Sequence, residues 1–324
     1  MLLVEVTING NLKRVSIEGL ALEHYWDQHI ISIDPPQYRI QKPYGGYVRP
    51  GFGSISFSHE LFSDNWPPPV GIDIKKFYTE TNEADKELLF EGKAHLRSIT
   101  RDAITYELFS DAFSTTIADS TLFDDSLVNV VTWFCDSSRL NLSVNSTYAR
   151  NPSPAVKHTT SGEQLAVNLL SDICAFFTHL FYIENGTLYL IDMLGDAGSE
   201  SLTEFDFFPS VYDYDVPVSA VRSNSYVRMS SYPYGNELNV GTEYHDTQSN
   251  IEDALDDILS IVNKAKCRLR VPLEGSLPKP GKKISWTDTS LGRDTSAYIR
   301  CRSIRYDFIK YEAVIEGEGE ISAV

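Results

Sequence analysis

The chain begins with strict alternation. Val4, Val6 and Ile8 are apolar against Glu5 and Thr7, a period of two that predicts a half-buried strand. Asn9-Gly10 follows, the dipeptide favoured in tight hairpin turns, and VSIEGLAL resumes the pattern beyond it. Gly45, Gly46, Pro50, Gly51 and Gly53 punctuate the next stretch, before SISFS puts Ile55 and Phe57 on one strand face. Trp66-Pro67-Pro68-Pro69 cannot lie inside a sheet, because proline lacks the ladder donor; it belongs in a rigid connection or on an edge. VGIDIKKFYTE alternates Ile72 and Ile74, and LLFEGKAHLRSI with AITYELFS forms a closing pair in which Gly92 permits a bend.

From residue 111 the period changes. Asp124 or Asp125 can cap the helix SLVNVVTWFC, whose Leu127, Val130, Val131 and Phe134 share a face. NLSVNSTYARNPSP reads as a loop. Ser161 with Gln164 forms a capping-box pattern ahead of Leu165, Leu169, Ile173, Phe176 and Leu180 at helical spacing. Asn185-Gly186 between two alternating runs predicts a hairpin. GDAGSESLTEFD is a small-residue, acidic linker. SYVRMSSYPYGNELNVGTEYH predicts two strands joined at Pro233-Tyr234-Gly235-Asn236.

A helix then starts at Ser249 or Asn250, with the stripe Ile251, Leu255, Ile258, Leu259 and Val262. Glu252 and Asp253 suit its positive end, Lys264 and Lys266 its negative end, and Asp256 and Asp257 are expected to meet solvent. CRLRVPLEG, ISWTD and SAYIRCRSIRYDFIKYEAVIEGEGE are strands. In the last, Tyr311, Ala313 and Ile315 alternate with Glu312, Val314 and Glu316. The expected class is α+β, mainly β. A first tube-like β-barrel spans 1–110, and a helix-helix-hairpin insert spans 111–205. A second β-barrel domain spans 206–324 and holds a helix over 250–265.

Composition narrows the function. With 42% hydrophobic and 23% charged residues, the 324-residue chain can build sizeable cores, and 18 Tyr and 16 Phe against 3 Met favour sheet. A net charge of −17 disfavours binding nucleic acid by phosphate neutralisation or docking on an anionic membrane. An acidic wall would repel DNA passing through a channel, and acidity also serves plain solubility. Glu5 and Asn9 interrupt the first apolar run, so no signal peptide is expected, and no stretch reaches the roughly 18–20 apolar residues of a membrane span. Cys135, Cys174, Cys267 and Cys301 are far apart and read as buried thiols, not as a zinc site or disulfides.

Candidate chemistry is sparse. Asp192, Asp213, Asp215, Glu237 and Asp307 are candidates for a glycosidase pair, set against the ordinary reading of 45 acidic residues as a solvated surface. The seven histidines show no HExxH pattern, and neither GxSxG nor a phosphate-binding glycine loop is present; a triad from distant residues stays open. No catalytic residue, cofactor or metal is expected. Tyr38, Tyr44, Tyr47, Trp66, Tyr232 and Tyr234 cluster near turns and prolines, as sugar platforms or as fillers of barrel ends and subunit interfaces. In RCRSIR, strand spacing puts Arg300 and Arg302 on one face and Arg305 on the other, for salt bridges or a subunit interface. The interface candidates are thus Arg300, Arg302, Arg305, Tyr232, Tyr234 and Trp66.

LFEGKAHLRSITRDAITYEL resembles the closing strands of the first barrel of phage tail hubs. The Pro280-Gly281 turn into Ile284 resembles a strand start common in such hubs, and IRYDFIKYEAVIEGEGE resembles their last hairpin. In element order the chain resembles the phage tail and baseplate hub family, similar in plan to the first part of the VgrG hub of type VI secretion. The resemblance implies a homotrimeric ring in the virion, made in the host bacterial cytoplasm, with six barrels around a lumen. It implies as partners the tail tube or distal tail protein, a tail-tip spike or other baseplate proteins, and DNA only in transit. Any puncturing device is expected on a separate protein. Two alternatives remain: a carbohydrate-binding or glycan-cleaving tail adhesin, and a hexameric distal tail ring protein.

Overall fold

Asn9 and Gly10 both take positive φ, 49° and 82°. That is the turn geometry whose twist matches two paired strands, and it joins β1 (Leu2–Ile8) to β2 (Asn11–Ile17) in antiparallel register from Ile8↔Asn11 to Leu3↔Ser16. The computed structural model describes residues 2–17, 27–34, 37–51, 53–78, 87–109, 115–144, 153–184, 186–195, 199–202, 211–213, 217–232, 234–273, 279–288, 295–307, 310 and 312–323. Two compact units emerge: residues 1–37, 51–112 and 306–311, and residues 38–50, 113–305 and 312–324.

In the first unit, β3 (Asp27–Ile33) pairs with β2, while β4 (Gln37–Lys42) and β5 (Gly45–Gly51) belong to the other unit's sheet. β6 (Ser54–Phe57), β7 (Gly71–Tyr78), β8 (Glu87–Ile99) and β9 (Ile104–Phe109) complete a closed barrel in the order β1-β2-β3-β6-β9-β8-β7. Closure removes sheet edges, and the alternating apolar positions all turn inward. Val4, Val6, Ile8, Ile55, Phe57, Ile72 and Ile74 form one buried cluster with Leu61 and Phe62. Leu61 and Phe62 come from a short 3-10 turn, His59–Phe62. Phe62 stacks on Tyr106 at 5.8 Å and meets Phe57 edge-on at 6.1 Å, so the interior is filled with side chains and is not a pore. The proline run follows as a connection, and the Tyr106 hydroxyl donates to the Pro69 carbonyl at 2.7 Å.

The second unit holds one large mixed sheet, open-ended among the described residues. Its path runs Asn141–Val144, Thr187–Asp192, His179–Glu184, β5, β4, Thr295–Asp307, Glu312–Ala323, Ala265–Pro272, Val211–Asp213. The mainly β class therefore holds. The strands on either side of the expected turn do pair antiparallel, from His179↔Asp192 to Glu184↔Thr187; Asn185 itself lies outside the described residues.

Helix α1 (Leu127–Ser138) buries Leu127, Val130, Val131 and Phe134 as the spacing predicts. Its cap is Ser126, which accepts the Asn129 N–H; Asp125 adds support by accepting from the Asn129 side chain at 2.8 Å. Helix α2 (Ala166–Phe176) departs from the capping-box expectation. Gln164–Leu165 pairs with Thr116–Ile117 as a short ladder, and the Thr115 carbonyl takes the Ala166 N–H at 2.9 Å. Backbone pairing replaces the side-chain cap.

Helix α3 (Gln248–Val262) starts after Thr247, whose side chain makes no capping bond; its first turn carries no acid, and Lys264 and Lys266 lie beyond its end. The hairpin expected before it is also different. Val227–Met229 and Asn236–Gly241 do not pair with each other; both flank Val218–Ser223, one antiparallel and one parallel. Asn263, ending α3, explains the middle strand's anchoring: its side-chain amide bonds both the N–H (2.8 Å) and the C=O (3.0 Å) of Val218.

Candidate assembly surface

Three neighbouring strands of the large sheet hold the basic run that the sequence singled out and the charges beside it. In Ala265–Pro272, Cys267, Leu269 and Val271 are buried while Lys266, Arg268 and Arg270 face the other way. The partner strand sets Glu318 opposite Lys266 and Glu316 opposite Arg268. Arg268 donates to Glu316 at 2.8 Å, and Arg270 reaches both oxygens of Glu312 at 2.7 and 2.6 Å. On the far side Arg302 pairs with Glu318, both buried. The glutamates of EGEGE thus lie between two basic strands, KCRLR and RCRSIR.

Arg300 and Arg302 do share a face, but that face is turned inward: they are 5% and 6% exposed. Arg300 donates to the carbonyls of Gly281 (2.9 Å) and Gly195. Burial lowers the Arg302 pKa to about 9. Both guanidiniums are used within the chain, whereas Arg305 is exposed. Gly317 explains one feature of EGEGE, because a Cβ there would overlap the Arg300 carbonyl oxygen of the next strand. Gly317→Ala is therefore expected to lower stability by about 3 kcal/mol or more, read by urea titration, since a backbone oxygen cannot swing aside. A loss below about 1 kcal/mol would contradict that packing.

The carboxylates proposed for catalysis are dispersed. Asp192 is buried and accepts the Leu194 N–H at 2.9 Å. Glu237 pairs with Arg222, and Asp307 accepts the Lys310 N–H at 3.0 Å. Asp213 lies on the edge strand Val211–Asp213, and Asp215 falls outside the described residues. Ser58 Oγ stands 3.0 Å from His29 Nδ1, yet Glu60 approaches that same nitrogen at 4.0 Å, so the three do not form a proton relay. Among the described residues no group of three or more His, Cys, Asp or Glu side chains is placed to hold a metal. All four cysteines are buried and unpaired with one another.

The aromatic candidates split by exposure. Tyr38 and Tyr44 are buried, and Tyr47 stacks on Phe181 at 5.1 Å. Trp66, Tyr232 and Tyr234 are 58%, 46% and 85% exposed, so these three remain available to a partner. Trp66 stacks on His59 at 5.7 Å, and His59 Nε2 lies 2.9 Å from the Thr100 carbonyl, which fixes the indole on the barrel rim. The sequence reading missed Val227 and Met229, exposed on the short strand just before Tyr232. Their alternate spacing was the available signal.

No protein-family model matches this sequence, and no curated protein matches it. Solved structures do. The 43 kDa tail protein of prophage MuSo2 from Shewanella oneidensis aligns over 98% of this chain and 97% of its own, with TM-score 0.57 and 12% identity. A tail protein from Neisseria meningitidis covers 98% and 96%, with TM-score 0.59 and 11% identity. Prophage tail protein gp18 from Listeria monocytogenes covers 97% and 94%, with TM-score 0.56 and 10% identity. The chain has the fold of phage tail proteins. This tail fold extends over nearly the whole chain, including both units, while side chains are almost entirely different. No individual residue's role transfers at such identity. Among the described residues, no helix of the tail fold is long and apolar enough to cross a membrane.

Proposed function

We propose that the chain is a non-enzymatic structural protein of the phage virion, a baseplate or tail-tip hub. The observation carrying this reading is the match of the tail fold to three tail proteins over 97–98% of the chain. Three copies form a ring that joins the tail tube or distal tail protein to the spike or other baseplate proteins. In this reading the open second sheet supplies the second barrel-like element of each copy, and neighbouring copies cover its edges. DNA passes between copies, because the first barrel is filled by Phe57, Phe62 and Tyr106. Trp66, Tyr232 and Tyr234 are the exposed aromatics proposed for subunit or neighbour contacts, with Arg305 beside them in role; Arg300 and Arg302 act by holding the sheet.

The test is the native mass of the purified protein at high concentration, with negative-stain microscopy. Trimeric rings with a central hole are the expected result. Hexameric rings would move the protein to the distal tail ring. A monomer that binds oligosaccharide would replace the hub with an adhesin.

A further inference from the structure

Helix α3 places Glu252, Asp253, Asp256 and Asp257 close together. Like charges four residues apart weaken a helix, and here there are two such pairs. Arg228 answers the first, reaching Asp256 at 2.8 and 2.5 Å and Glu252 at 3.4 Å. The second pair, Asp253 and Asp257, borders a groove of about 460 Å³ in the second unit. Asp257, expected in solvent, is half-buried in its wall. Asp253 is exposed, and its charge adds to those of Asp256 and Glu252 around Arg228. Its apolar lining includes Pro154, Phe177 and Ala254, and among the described residues no lysine or arginine lines the groove. In its wall the Ser153 hydroxyl oxygen is buried and has no hydrogen-bond partner among the described residues.

The groove is lined by three carboxylates, Asp253, Asp256 and Asp257, of which Asp256 is held by Arg228, so its lining is net acidic. Acidic groups beside an apolar lining complement a side chain with a cationic head and an aliphatic stem. We propose that this groove docks a basic, partly apolar segment of a partner protein. A lysine or arginine of that segment sets its head on Asp253 and Asp257 and its stem along Phe177 and Pro154. The volume lies within the range of about 300–1,000 Å³ typical of ligand clefts and has room for such a side chain with an aliphatic neighbour. The groove lies within one unit of a single copy, so the inference does not depend on ring formation.

The experiment uses the full chain and a short fluorescein-labelled peptide alternating lysine and leucine, read by fluorescence anisotropy. A peptide alternating glutamate and leucine is the counterpart. The expected result is binding of the first peptide alone, weakened by salt, with Asp253→Lys raising Kd roughly tenfold. Asp253 is exposed, so this variant spares the core. Glu60→Lys makes the same charge change on the first unit, where Glu60 is 85% exposed, and is expected to alter Kd by less than about twofold. Equal loss in both variants would reduce the effect to net charge. Displacement of the peptide by an equimolar amount of spermidine or calcium would make the groove a small-cation site. Absence of binding by the lysine peptide would also overturn the proposal.

Discussion

Phe62→Ala is expected to lower the stability of the first unit by about 3–5 kcal/mol, the range for emptying a buried aromatic position. Phe62 is fully buried at the barrel end, where the 3-10 turn inserts it between Phe57 and Tyr106. Its removal deletes two ring contacts and leaves a cavity that barrel strands, hydrogen-bonded all the way round, cannot collapse to fill. The loss is read from urea titration, with a dye that fluoresces in exposed apolar sites as second readout. Phe62→Leu keeps most of the volume and is expected to lose about half as much or less. A Phe62→Ala loss under about 1 kcal/mol would show that the turn rests on the barrel without sealing it.

A second large effect depends on pH. In β7, Ile72, Ile74 and Lys76 all turn inward, and Lys76 is completely buried. Burial lowers its pKa from 10.5 to about 7, while the Asp34 carboxylate pulls the other way. Asp34 is itself held by the Ser54 N–H at 2.8 Å and the Ser54 hydroxyl at 2.9 Å. Below pH 7 both folded and unfolded chains carry the proton, and the folded state bears the full penalty of a buried ammonium. Between about 7 and 10.5 the unfolded chain holds more protons, so stability rises with pH; above that window both forms are neutral and the penalty is gone. The difference across the window is on the order of 5 kcal/mol. Urea midpoints measured from pH 6 upward should climb for the natural chain and run flatter for Lys76→Met. Parallel pH profiles for the two proteins would place the proton elsewhere.

Much of this fold is local information. The alternation of Val4, Val6 and Ile8, of Ile55 and Phe57, and of Ile72 and Ile74 predicts strands with one buried face, and each of these side chains is in the barrel core. Asn9-Gly10 specifies its turn because both residues tolerate positive φ. The α1 stripe is legible for the same reason: its period needs no distant partner. Exposure was legible in part. Trp66, Tyr232 and Tyr234 are exposed, but the basic run RCRSIR turned two of its three arginines inward.

Residue type and spacing in this chain determined the Asn9-Gly10 turn, the buried stripe of α1 and the inward faces of β1, β6 and β7. Only the tertiary structure decided which edges meet. It sent β4 and β5 to the second sheet and put Val218–Ser223 between two strands expected to pair. It buried Arg302 against Glu318, and it drew Lys76 into an apolar barrel against its own hydration preference. Each outcome depends on hydrogen-bond edges and volumes contributed by residues far apart in the chain. A period of two or of 3.6 describes only which way a side chain points, not what it will find there.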